Sequence, residues 1–450
     1  MQTHSPSSHG SGVVLAPFRG VRYDPVRVSE LADVTSPPYD VIGPGTLDEL
    51  LAASPYNVVR LILPAISLDA QAAGAVAADR LRSWLESGVL VPDPDPALYV
   101  YEQRGPDFTQ RGLIGLVGVG GPGILPHEGV MPGPVAGRRE LMRATRANLE
   151  PILLVYNGDA SSASSLDALG GSGAAGTGGH GSPAGPASRL TDLVADQREP
   201  LVSAVTSDGV THRLWRLSDP AEQAAIAADL AGRTALIADG HHRYAAYGEL
   251  RDLMSGAGPW DYGLAFLVDA DAYPPRLGAI HRVLPHLAPE EAARLATDAF
   301  TVAELPGVPP VGLEAAMARL AEAGRDGTAF LLAGRTGFRL LTQPDEKELA
   351  AAMPANASPR WRALDASVMQ ELLLERVWSI KDNERDVLIS HDAREAVRMA
   401  LDAGGTAVIC NPMPLAAVTE LAAHGERVPR KSTSFGPKPR TGLVLRTFGS

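Results

Sequence analysis

The chain has 450 residues, 45 % of them hydrophobic and 20 % charged, with a formal net charge of −12. That length favours two or three domains over one core, and the acidic balance argues against general affinity for nucleic acid or membrane. A single cysteine, Cys410, excludes an internal disulfide framework and fits a reducing, cytoplasmic setting.

Residues 1–16 read as a disordered tail, and their polar opening lacks the cationic and apolar segments of an export signal. Residues 17–42 are rich in proline and turn formers, which suggests extended loop, and 58–63 looks like a strand. Residues 69–88 have the makings of a helix. Asp69 suits the N-cap, Val76, Leu81, Trp84 and Leu85 give an apolar stripe, and Gly88 suits the stop. Strands over 98–103 and 112–119 form a hairpin. A cationic helix over 137–149 and a strand over 152–156 follow.

Residues 158–188 are nearly all Gly, Ser, Ala and Pro. Such a segment buries too little apolar surface to offset its ordering entropy, so it reads as a flexible insertion within one domain. Next come a strand over 211–217, a helix over 220–231, and strands over 234–238, 262–268 and 277–284. Beyond 288, helices near 289–299, 312–323, 364–377 and 391–403 alternate with strands near 328–333, 337–342 and 406–410. No run approaches the roughly 18 apolar residues of a membrane span. The fold class is α+β with a mixed sheet.

Chemistry concentrates at Ala238-Asp239-Gly240-His241-His242-Arg243-Tyr244. This stretch lies between the strand over 234–238 and a helical pattern that puts Tyr244, Tyr247, Leu250 and Leu253 near one face. Gly240 lets backbone approach a ligand, and the N–H groups of a helix's first turn favour a phosphate. Asp239 is a candidate Mg²⁺ ligand, and Arg243 could clamp phosphate bidentately. The bland alternative is a tight turn whose side chains cap neighbouring backbone.

Three further groups carry chemistry. In Pro126-His127-Glu128 a carboxylate stands beside an imidazole, as a general base requires. Arg139, Arg143 and Arg146 share a helical face with Arg138 nearby, which makes a phosphate-facing surface or a solvated one. Residues 427–450 hold six basic residues and no acidic one. Within them, Lys431, Ser432, Thr433 and Lys438 form a loop over 427–440 whose composition suits wrapping a phosphate. Glycine runs at 118–123 and 171–176 match the dinucleotide fingerprint but lack its strand-to-helix context. A histidine-based metal site using His241, His242 and His281 stays open.

Other stretches join these: Phe18-Arg19-Gly20-Val21-Arg22-Tyr23, Ser36-Pro37-Pro38-Tyr39-Asp40-Val41-Ile42, Asn57-Val58-Val59-Arg60-Leu61 and Arg143-Ala144-Thr145-Arg146-Ala147-Asn148. With them, the chain from residue 17 onward resembles a bacterial and archaeal family of unknown function, related to the ParB/sulfiredoxin superfamily and to free serine kinases. The resemblance implies a ParB/sulfiredoxin-like nucleotide-binding core over 111–287, between α/β regions at 17–110 and 288–450. It implies that Gly240-His241-His242-Arg243 grips nucleotide phosphates. His241 stands where sulfiredoxins carry their reactive cysteine, which argues against sulfinic-acid repair. The serine kinases imply an upstream glutamate base, for which Glu128 is the candidate, with His127 orienting it.

The expectation is therefore a cytoplasmic phosphotransferase that uses ATP or ADP with Mg²⁺ on a small hydroxylated metabolite such as L-serine. Asp239 would hold the metal. Gly240, His241, His242, Arg243, Arg143, Arg146, Lys431, Ser432, Thr433 and Lys438 would bind the phosphates. A ParB-like nucleotide switch without turnover and a metal-dependent hydrolase are the alternatives, and the sequence leaves the oligomeric state open.

Overall fold

The computed structural model describes residues 12–64, 68–158, 185–383 and 385–449. Most of the expected tail, and the expected insertion from 159 to 184, lie outside the described residues. The chain divides into two compact units. One comprises Met1–Pro126, Val130–Pro275 and Pro437–Ser450, the other His127–Gly129 and Arg276–Gly436. Both mix helices with sheets, an α+β architecture.

The first unit is built on a mixed nine-stranded sheet. Its middle is the expected hairpin, Leu98–Gly105 against Phe108–Gly118, closed with Gly105 opposite Phe108. Thr211–Leu217 extends it on one side, and Tyr262–Asp269 pairs antiparallel on the other. Ile152–Tyr156 then runs parallel to Tyr262–Asp269 and antiparallel to Ala235–Asp239. These central strands are buried almost throughout, as their near-continuous apolar runs require. A smaller antiparallel sheet orders Leu90–Pro92, Gly20–Tyr23, Leu445–Thr447 and Ala147–Asn148.

The second unit holds a six-stranded antiparallel sheet in the order Thr301–Leu305, Gly337–Thr342, Ala329–Gly334, Thr406–Cys410, His281–Leu284, Leu388–Ser390. The strand expected over 277–284 is two strands. Arg276–Gly278 pairs with Ser434–Gly436, and His281–Leu284 joins the larger sheet.

Several sequence expectations need correction. Residues 17–42 are not all loop, since they contain the strand Gly20–Tyr23 and the helix Leu31–Val34. Residues 58–63 form a helical turn, Val59–Ile62, rather than a strand. Asn57, fully buried, decides it: Oδ1 accepts from Val59 N at 2.9 Å while Nδ2 donates to Asp33 O and Thr35 O. That side chain caps the turn, and the buried environment overrides the strand preference of Val58 and Val59. The cationic helix runs over Pro132–Thr145, earlier than expected, because proline's fixed φ suits a first turn. Arg146, left-handed at φ 48°, ends it. Helices Pro44–Ala53, Pro186–Gln197 and Leu415–Ala423 were not foreseen. The helix expected over 364–377 is a short α-turn followed by a π-helix, Val368–Val377. Asp69 does cap Ala70–Glu86, accepting from Ala72 N at 2.8 Å. No helix among the described residues is long and apolar enough to cross a membrane.

Candidate functional site

The Asp239–Arg243 turn sits in the first unit where strand Ala235–Asp239 gives way to helix His241–Leu253. A bulge between Ile237 and Asp239, opposite Ile152–Tyr156, re-aims the end of the strand. Gly240 is left-handed, at φ 94°, and a Cβ there would lie 2.8 Å from the Ile152 side chain. Glycine is thus required twice, by conformation and by space. As the N-cap of the helix that follows, glycine brings no side chain to its first N–H groups.

Charge gathers around this turn. Asp239 is 7 % exposed, and each of its oxygens faces a cation: Oδ2 accepts from Arg243 Nη2 at 2.5 Å, and Oδ1 lies 2.6 Å from Lys438 Nζ. Lys438 also donates to Asp40 Oδ2 at 2.9 Å. Burial works to lower the Lys438 ammonium, but Asp239 and Asp40 outweigh it and raise it. Burial likewise works to raise Asp40, and Lys438 and Arg243 hold it below the usual carboxylate range. Arg243, 3 % exposed, donates Nη1 to Pro151 O at 2.5 Å and lies 6.0 Å from the Tyr39 ring centre. Glu150 accepts from Tyr39 N at 3.1 Å and lies 3.7 Å from Arg138, whose guanidinium stacks 4.2 Å over the Tyr39 ring. Burial pushes the Glu150 carboxyl up. The void beside Arg243 and Glu150 is about 20 Å³, room for one water.

The expected phosphate-binding residues divide accordingly. Gly240 and Lys438 stand at the entrance of this helix. Arg243 is not an open clamp, because Nη1 and Nη2 are taken by Pro151 O and Asp239 and only its buried Nε lacks a hydrogen-bond partner among the described residues. Both side chains after Gly240 are partly enclosed: His241 is 8 % exposed, and His242 Nε2 accepts from Met131 N at 3.1 Å, which leaves the ring's proton on Nδ1. Arg143 is bidentate on Glu140 on an exposed helix face. With Arg146 it lines a groove of about 330 Å³ whose other walls, Leu250, Leu253, Met254, Trp260 and Phe448, are apolar.

The second unit brings another expected pair together across some 300 residues of sequence. Glu128 Oε1 accepts from Lys431 N at 2.7 Å, and His127 Nε2 lies 3.0 Å from Thr433 Oγ1. His127 is fully buried, edge-on to Phe435, and its carbonyl accepts from Val428 N at 2.8 Å. Ser432 Oγ donates to Pro429 O at 2.5 Å, and Lys431 is left-handed at φ 56°. The hydroxyls of Ser432 and Thr433 therefore shape their own loop, with His127 and Glu128 as anchors.

The sequence alone does not point to Tyr39, Asp40, Arg138 and Glu150 as members of this cluster. The signal was present in Pro37-Pro38-Tyr39-Asp40, where two prolines stiffen the chain ahead of an aromatic and an acid. Glu150, placed just before Pro151, had no local pattern to mark it. Among the described residues no group of three or more His, Cys, Asp or Glu is arranged to hold a metal ion.

Comparison with known proteins adds a family. The family model "Protein of unknown function (DUF1015)" matches residues 15–174 and 181–367. No curated protein matches the chain. Among solved structures, a free serine kinase in complex with AMP is similar at 15 % identity and a TM-score of 0.32, covering 70 % of this chain and 84 % of its own. SbnI from Staphylococcus aureus, with a C-terminal truncation, stands at 12 % and 0.35, covering 74 % and 87 %. A conserved hypothetical protein from Pyrococcus furiosus stands at 14 % and 0.32, covering 72 % and 90 %. The functional reading rests on the geometry above.

Proposed function

The chain belongs to the DUF1015 family of unknown function, and within it we propose a nucleotide-dependent phosphotransferase that acts on a small hydroxylated metabolite. The observation that carries this reading is Lys438, an ammonium held between Asp239 and Asp40 beside the left-handed Gly240 that opens the helix. Backbone N–H groups, the positive end of the helix dipole and an ammonium suit the phosphates of ATP or ADP. A phosphate there draws Lys438 away from its carboxylates, so affinity falls steeply with added salt. Arg243, Glu150 and Tyr39 hold the turn rigid from behind.

Magnesium does not fit Asp239 as the side chain stands, because both oxygens already face cations. L-Serine as acceptor, Glu128 as the kinase-type base and a ParB/sulfiredoxin-like core come from the family resemblance, while the proposal that the enzyme is cytoplasmic rests on the single cysteine. Glu128→Gln is the probe, since glutamine keeps an oxygen for the Lys431 N–H while an uncharged NH2 group replaces the other carboxylate oxygen. The reading expects calorimetric ADP binding to survive in this variant while phosphorylation of L-serine and related hydroxy compounds falls at least a hundredfold. Undiminished turnover would remove Glu128 from the chemistry.

A second reading, a nucleotide-binding switch without turnover, draws on the small void at Arg243, which suits a site that opens only when occupied. Binding of ADP without consumption of any hydroxylated compound would favour it.

A further inference from the structure

The second unit holds a cavity of about 440 Å³ that shares only Ser432 with the residues expected to bind phosphate. Much of its wall is apolar, including Ile280, Phe330, Leu364 and Met369. Four charged side chains interrupt that wall: Arg360 and Glu420 pair with each other at 3.9 Å, whereas Arg282 and Asp365 form no ion pair among the described residues.

Arg282 is 6 % exposed. Among the described residues its terminal nitrogens reach only two backbone carbonyls at long range, Ile280 O at 3.5 Å and Arg430 O at 3.3 Å, and its buried Nε has no hydrogen-bond partner. Asp365, at the start of the turn that leads into the π-helix, hydrogen-bonds the Thr328 side chain and faces no cation. Burial lowers the Arg282 guanidinium, only partly offset by the more distant Asp382 and Glu128, and raises the Asp365 carboxyl to about 6. Cys410 on the same wall feels Arg282 and Asp365 together, after the larger effect of burial, so the two border one space.

A buried cation and a buried carboxylate that stay apart are costly unless something else matches them. A simple anion would leave Asp365 unmatched, and a simple cation would leave Arg282. We propose that this cavity binds a small zwitterionic metabolite with an apolar body, its carboxylate on Arg282, its ammonium on Asp365, and its side chain against Phe330 and Met369. Each methylene laid on that wall strengthens binding about fourfold, so L-leucine, L-methionine and L-phenylalanine bind better than L-alanine.

The test is calorimetric titration of the full-length protein with those four amino acids, their N-acetyl derivatives and the corresponding decarboxylated amines. The expected result is binding of the free amino acids in the stated order, with both modified series at least tenfold weaker. Asp365→Asn removes one charge without changing shape. It should lose amino-acid binding at least tenfold while keeping its thermal transition, and should leave ADP binding unchanged, which separates this site from the nucleotide reading. The proposal is overturned if no free amino acid binds at about 10 mM, if the N-acetyl series binds as tightly, or if Asp365→Asn binds normally. Arg282→Lys is the second variant. Should it fail to fold, the amine series still tests the carboxylate contact.

Discussion

The two charged regions of this protein are opposites. Around Gly240, Asp239, Asp40 and Glu150 face Lys438, Arg243 and Arg138, so acid and base are matched in number and the space left is about 20 Å³. Around the second cavity, Arg282 and Asp365 form no ion pair among the described residues and the space is about 440 Å³. Matched buried charges spend their attraction on each other and fix a backbone turn. Unmatched ones across a cavity keep theirs for a ligand. Binding at the first region must compete with internal partners, while binding at the second completes a missing pair.

The sharpest way to break this comparison is to unmatch the first region. Arg243→Met leaves Asp239 and Glu150 buried without their central cation, and the expected loss is about 3–5 kcal/mol in urea unfolding. A loss below about 1 kcal/mol would mean the cluster is solvated enough to do without it.

The converse change belongs to the second region. The Asp365 carboxyl is raised to about 6, above its ordinary value, so folding loses stability as pH rises through 6. Asp365→Asn should therefore stabilise the protein by up to about 3 kcal/mol above pH 7, with the gain vanishing below pH 4. A destabilised variant at pH 8 would show that the carboxylate has a partner after all.

Gly240→Ala probes the turn itself. The left-handed conformation and the close approach of Ile152 set the cost at about 2 kcal/mol, with nucleotide affinity falling in parallel. Alanine tolerated without loss would mean the turn relaxes freely.

The smallest effect should appear in both units alike. His212 in the first is held by Tyr101 and Thr206, and His281 in the second accepts from Cys410 N. Burial pushes each imidazole down to about 4. A depressed histidine contributes stability above its unfolded value near 6.5 that is lost as pH falls towards 4. Each should cost about 1 kcal/mol by pH 5.5. Acid unfolding monitored in His212→Gln and His281→Gln should show a shallower slope in both variants.

The same contrast explains what the sequence revealed. Periodicity located strands such as Ile152–Tyr156 and Thr211–Leu217 because buried strands write continuous apolar runs. It misread residues 58–63, where one buried side chain, Asn57, outweighs local preference. At the turn, Gly240 and Asp239 were legible because strand, glycine and helix are contiguous. Asp40 and Glu150 were not, since only tertiary folding brings them to Lys438 and Arg243. Glu128 and Lys431 were each marked by composition, yet their hydrogen bond spans a separation no local pattern encodes. Arg282 and Asp365 had no signal, because an unpartnered charge becomes visible only when its surroundings are known.

The central claim is that Lys438 at the Gly240 turn receives a nucleotide phosphate. Titrating the intact protein with ADP by calorimetry, beside Lys438→Met, puts it to the most direct test. Saturable binding to the unmodified chain that weakens at least tenfold in the variant, and weakens with salt, is the expected result. Equal affinity in both proteins, or no heat from either, would contradict it.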